Sequence, residues 1–134
     1  MRAILTLPAA LAIAACATGE RADYAMSEED RAMLDRELAG YEAGEPENCL
    51  DLKFVNNSRV IDDRTVIYRR GGTKYLTTFD NRCPALERTS ETLVFRTFSG
   101  RVCDVDIIQT IDNQTGLAGP ACSIDTITPY NRVD

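Results

Sequence analysis

A mainly β (α+β) fold is predicted: one N-terminal helix, then a curled antiparallel sheet or small barrel of five to six strands, held by disulfides. Three observations carry this expectation. Helical periodicity is confined to one segment near residues 28–41. From Leu50 onward, short runs of β-branched and aromatic residues alternate with Gly, Asn, Asp and Pro. Four widely spaced cysteines follow that helix. The length of 134 residues suits a single domain.

Residues 1–15 read as a processing signal. Arg2 is the first charge, and Ala3 to Ala15 is an apolar run broken by Thr6 and Pro8. It is shorter than the ~20 residues a helix needs to cross a bilayer, but the size of a signal-peptide core. It ends Ile13-Ala14-Ala15-Cys16. An aliphatic residue, two small residues and a cysteine resemble a bacterial lipoprotein signal, in which Cys16 is lipidated with palmitate-type chains and becomes the N-terminus. Two or three chains make attachment durable, since each buried methylene is worth ~0.8 kcal/mol. Ala17 in place of an acid directs the expected location to the outer membrane, facing the periplasm. Residues 16–26 then form a lipidated cysteine and flexible tether, and residues 27–134 the domain.

Ser27-Glu28-Glu29-Asp30 is a helix start, with Ser27 as cap and acids at the positive end of the dipole. Leu34, Leu38 and Tyr41 share a face and Gly40 suits the end, so a helix is expected at 28–39. The expected strands are Leu50–Val55, Thr65–Arg69, Thr73–Phe79, Leu93–Phe98, Val105–Ile111 and Ala121–Thr128. Gly71-Gly72 marks a hairpin, Pro84 to Glu87 a helical turn, and Asp112 to Pro120 a longer loop.

Composition excludes several functions. There is no histidine among the 134 residues, so Ser-His-Asp chemistry and His-ligated metals are out of reach. Twenty-one acids against fifteen basic residues give a formal charge of -6, which argues against a nucleic-acid partner. No cofactor or metal is expected. Cys49, Cys83, Cys103 and Cys122 lack the close C-x-x-C pairs of zinc or thioredoxin-like sites. An even number in an exported chain reads instead as two disulfides. A hairpin across the 112–120 loop sets Cys122 opposite about residue 110, roughly 23 Å from Cys103 at ~3.3 Å per residue. That is too far for a bridge. In an up-down-up meander starting with 50–55, Cys49 and Cys83 lie at opposite ends. Two pairings remain: Cys83–Cys122 with Cys49–Cys103, which is preferred, or Cys49–Cys122 with Cys83–Cys103.

These residues also carry a resemblance. Cys49-Leu50, Val60-Ile61-Asp62-Asp63, Tyr75-Leu76, Cys83-Pro84-Ala85-Leu86, Cys103-Asp104-Val105-Asp106-Ile107 and Cys122-Ser123-Ile124-Asp125-Thr126-Ile127 resemble the pattern of a family of small exported bacterial proteins, a domain of unknown function. The likeness covers about residues 49–129. Val105-Asp106 stands where the family has a small-acidic pair. The resemblance implies that Cys83 and Cys122 belong together, and implies an envelope address but no reaction.

The remaining candidates have ordinary structural readings. Asp62-Asp63 before a strand suits a turn. Asp104 and Asp106 share one strand face, with Val105 and Ile107 directed to the core. Asp112 to Gly116 bears a slight likeness to a calcium loop but lacks its further ligands. Gly71-Gly72-Thr73-Lys74 lacks phosphate-loop spacing. Arg69, Arg70, Lys74, Arg82, Arg88, Arg96 and Arg101 form a locally basic stretch that could meet an acidic partner. The expected function is a lipid-anchored envelope protein, a non-catalytic binding or structural module with a possible envelope protein partner. The alternatives are an inhibitor of an envelope hydrolase and a carboxylate-dependent enzyme.

Overall fold

The computed structural model describes residues 24–97 and 99–134; the signal reading of 1–15, Cys16 and most of the tether lie outside them. Helix α1 spans Glu28–Leu38. Ser27 caps it: its hydroxyl oxygen accepts from the Asp30 amide at 3.1 Å while its O–H donates to the Asp30 carboxylate. Asp30 stands at the position of the usual capping-box glutamate, though its carboxylate takes the Ser27 hydroxyl rather than the Ser27 amide. The helix stops where Gly40 turns to a φ of +77°, in the left-handed region that glycine enters without steric cost. No helix residue is fully buried. Met33, Leu34 and Leu38 are half-buried, and the helix lies against the strand Asn57–Asp62.

Among the described residues nine strands follow: β1 Tyr41–Ala43, β2 Cys49–Asp51, β3 Asn57–Asp62, β4 Thr65–Arg70, β5 Thr73–Phe79, β6 Glu91–Val94, β7 Arg101–Cys103, β8 Ile107–Asp112 and β9 Ala118–Arg132. They build the curled antiparallel sheet β3-β4-β5-β9-β8-β6, with β1 also paired to β9, and a separate ribbon β2-β7. Strand β9 is the spine. Its first part pairs with β8 and its second with β5, and its last residues, Tyr130 to Arg132, also take up β1. The amides of Gly44 and Glu47 donate to the carbonyls of Pro129 and Ile127, extending the β1 side of that ladder.

A spine that changes neighbours must also keep its apolar residues inward. Side chains alternate between faces, so Cys122 and Ile124 cannot share a face with Ile127 in a regular strand. Register shifts where Thr78 faces Thr126 but Phe79 faces Ile124, leaving Asp125 as the extra residue. This bulge restores the inward direction for Ile127. Cys122, Ile124 and Ile127 then pack with Val66, Tyr68, Tyr75, Phe79 and Ile108 in one core. Leu50 and Val102, paired across β2-β7 and almost wholly buried, belong to the same core.

Several expectations need correction. The predicted strand 50–55 is β2 plus a 3₁₀ turn over Leu52–Phe54, because the Asp51 carboxylate accepts from the Lys53 amide at 3.0 Å and bends the chain. The meander therefore begins with β3, which has no apolar alternation because Asn57, Ser58 and Arg59 are exposed on a sheet edge. The predicted strand 93–98 is β6 at Glu91–Val94, and Phe98 lies outside the described residues. The strand expected at 105 begins at Ile107. Residues 103–106 turn instead, with the Asp106 carboxylate accepting from the Cys103 amide at 2.8 Å. Val105 and Ile107 are consequently exposed, 84% and 70%, and Ile108 and Thr110 point inward. Asp104 and Asp106 do not share a strand face. The last strand runs from Ala118, four residues before Cys122, to Arg132, ten after it, rather than starting beside it.

Candidate functional site

The four domain cysteines form Cys49–Cys103 and Cys83–Cys122, with Cα atoms 3.9 Å and 5.5 Å apart. This is the pairing preferred from strand register. Cys49 and Cys103 face each other across β2-β7. Cys122 faces Ile108 rather than residue 110, because the turn is shorter than expected and β9 already starts at Ala118, opposite Ile111; Cys103 still lies well along the chain from it. Cys83 is positioned from the β3-β4 turn: its amide donates to the Asp63 carbonyl at 2.7 Å.

That turn uses both acids of the pair. Asp62 accepts from the Arg64 amide at 2.8 Å, the side-chain turn expected of it. Asp63 is buried and its carboxylate receives Arg82, whose own side chain is largely exposed. The pair therefore fastens the turn to the Cys83 segment. Among the described residues, no group of three or more acids or cysteines is placed to hold a metal ion. At the other end of the sheet, Asp112 accepts from the amides of Gln114 and Thr115 and from the Thr115 hydroxyl at 2.8–3.0 Å. Those donors, the Thr115 amide foremost, hold its pKa below the ordinary carboxylate value. This carboxylate closes a loop with its own chain.

The linear basic stretch is dispersed. Arg82 goes to Asp63, Arg88 pairs with Glu91 at 2.8 Å, and Arg70 lies over the exposed Phe54 ring. Arg69 and Lys74 behave differently. They lie opposite each other in β4-β5, on the face that α1 covers, and residues from two distant segments join them. Arg36 and Glu37 come from the last turn of α1, Tyr41 from β1 and Arg132 from the end of β9. Together they line a cleft of about 530 Å³ whose rim includes the Gly71-Gly72 hairpin tip.

Lys74 is the organising residue. It is only 6% exposed, and its ammonium donates to the Glu37 carbonyl, one of the last in α1. A helix C-terminus carries partial negative charge and unpaired carbonyls, so a buried lysine is stabilised there. The Glu37 carboxylate adds an ion pair at 3.5 Å, and the Tyr41 ring lies 4.5 Å away. Glu37 is shared at 3.9 and 4.0 Å with Arg59 and Arg69. Arg36 and Arg132 make no ion pair among the described residues, and Arg132 is steadied by the Tyr41 ring at 5.7 Å. Sequence reading saw Arg69 and Lys74 but not the site. Nothing in the linear pattern signals that Arg36 and Arg132 would meet them.

Across residues 1–134 the chain matches a family of unknown function (DUF6491), and it belongs to that family. Neither a curated protein nor a solved structure matches it.

Proposed function

We propose that this DUF6491 member is a lipid-anchored cell-envelope domain, facing the periplasm from the outer membrane, that works by binding or supporting a partner rather than by catalysis. The observation that carries the reading is the allocation of its five cysteines. Four are consumed in two intramolecular disulfides, the bonding expected of an exported chain. The fifth, Cys16, follows Ile13-Ala14-Ala15 at the end of a short apolar run, where a lipid-modified cysteine belongs. No helix among the described residues is long and apolar enough to cross a membrane. On this reading the tether, not the acidic domain, provides attachment.

Fractionation of cells making the wild type and Cys16→Ser tests it. Wild-type protein should sediment with membranes, begin at residue 16 and carry acyl label. Cys16→Ser should lose the label and either remain uncleaved or become soluble. Wild-type protein found wholly in the soluble periplasm, with another N-terminus, overturns the proposal.

A further inference from the structure

We propose that the cleft between the end of α1, the β4-β5 hairpin and the end of β9 binds a phosphate-bearing anion. The inference stands on the geometry of the domain and is independent of the lipid anchor.

Charge is the first argument. Four cations line the cleft, Arg36, Arg69, Lys74 and Arg132, against the one carboxylate of Glu37. Arg59 approaches the same carboxylate from outside. The whole chain is acidic, with a formal charge of -6, so a local excess of this sign is the reverse of the molecule's balance. The negative end of α1 does not absorb it, because Lys74 already meets that end through the Glu37 carbonyl. Four cations that line one cleft with a single carboxylate repel one another, and an entering anion relieves that repulsion.

Pre-organisation is the second. Tyr41 holds Arg132 through its ring at 5.7 Å, a contact that fixes the cation in place but leaves its charge unneutralised. Lys74, 4.5 Å from the same ring, already has Glu37 as its ion-pair partner, so the uncompensated charge belongs to the arginines. Three of the four cations are arginines, whose planar forks suit the several oxygens of a phosphate better than a point charge does. The volume, about 530 Å³, lies within the range of small-molecule sites.

Glycine is the third. The hairpin requires a glycine at Gly71, where φ is +57°. It does not require one at Gly72, whose φ is not in the left-handed region and where an added Cβ would meet nothing within 4 Å. The fold does not need this second glycine. At the rim of the cleft it leaves the backbone open to close approach by a ligand.

The test is calorimetric titration of the full chain in non-ionic detergent with orthophosphate at pH 8, with acetate at matched ionic strength as the reference anion. Saturable one-to-one binding of phosphate, well above that of acetate, is expected. The double variant Arg69→Gln/Arg132→Gln should weaken it by about tenfold, because it removes two of the four cations and their charge-assisted hydrogen bonds. Gly72→Val should weaken binding while leaving the thermal midpoint unchanged, and Arg88→Gln, on a pair outside the cleft, should bind like wild type. Short-chain phosphatidylglycerol and phosphatidylcholine in mixed micelles distinguish the source. Displacement of orthophosphate by the former alone identifies a lipid headgroup; displacement by neither identifies a free phosphate compound. Both results support the site. Absence of saturable phosphate binding, equal binding of acetate, tighter binding of an oligoglutamate peptide, or undiminished binding by the folded double variant each overturns it.

Discussion

Tyr68 shows how a single side chain couples this fold to its surroundings. It lies on β4 within the core and is 8% exposed. Burial disfavours the phenolate, so its pKa is pushed up to about 12. The unfolded chain ionises this group near its ordinary value of 10, so the folded state holds the proton more tightly. The stability that follows is fully present below pH 10 and is lost as pH rises from 10 towards 12. Spectrophotometric titration should show at least one of the five tyrosines ionising only near pH 12 or together with unfolding. Tyr68→Phe should remove that late step. If all tyrosines titrate reversibly near pH 10 with structure retained, the burial of Tyr68 is wrong.

At the scale of elements, the attachment of α1 is the informative case. With no fully buried residue, the helix has little apolar area with which to hold itself to the sheet. Its C-terminus is instead joined to the sheet through Lys74, by the Glu37 carbonyl, the Glu37 carboxylate and Tyr41. Lys74→Met retains the stem and removes the donor. It should loosen α1 by about 1.5–3 kcal/mol, the scale of a hydrogen bond made by a charged group. Hydrogen exchange should speed up in Glu28–Leu38 and stay unchanged in the β4-β5-β9 ladder. Undiminished protection of the helix would mean that the lysine stem, not its ammonium, holds the element.

For the whole molecule, the two disulfides join segments distant in sequence. Their loops, 54 and 39 residues, each correspond to about 4 kcal/mol in the chain-entropy model, so loop length does not separate them. Burial does. Cys83 and Cys122 are wholly buried in the main core, whereas Cys49 and Cys103 are half-buried at the β2-β7 ribbon. Replacing the first pair by alanine loses the cross-link and creates a core void. Cys83→Ala/Cys122→Ala should therefore lower the denaturation midpoint further than Cys49→Ala/Cys103→Ala. Equal midpoints would show that the void closes at no cost.

Features set within a turn or a single strand were readable from residue order. Ser27, Asp30 and Gly40 delimit α1 because caps act within a turn. Gly71-Gly72 fixes the β4-β5 hairpin, and the run of β-branched and aromatic residues in Thr73–Phe79 marks a strand. The preferred disulfide pairing was also legible, since it depends on gross distances along a hairpin and tolerates the two-residue error at Cys122. Features that depend on partners distant in the chain emerge only on folding. Strand β3 has exposed polar residues and becomes a strand only because β4 offers an edge. Val105 and Ile107 look like core residues, yet the Asp106–Cys103 turn re-phases the chain and leaves them outside. The basic cleft was the least legible feature, because its cations come from residues 36, 69, 74 and 132. Side-chain charges interact through space rather than along the chain, and only folding fixes those distances.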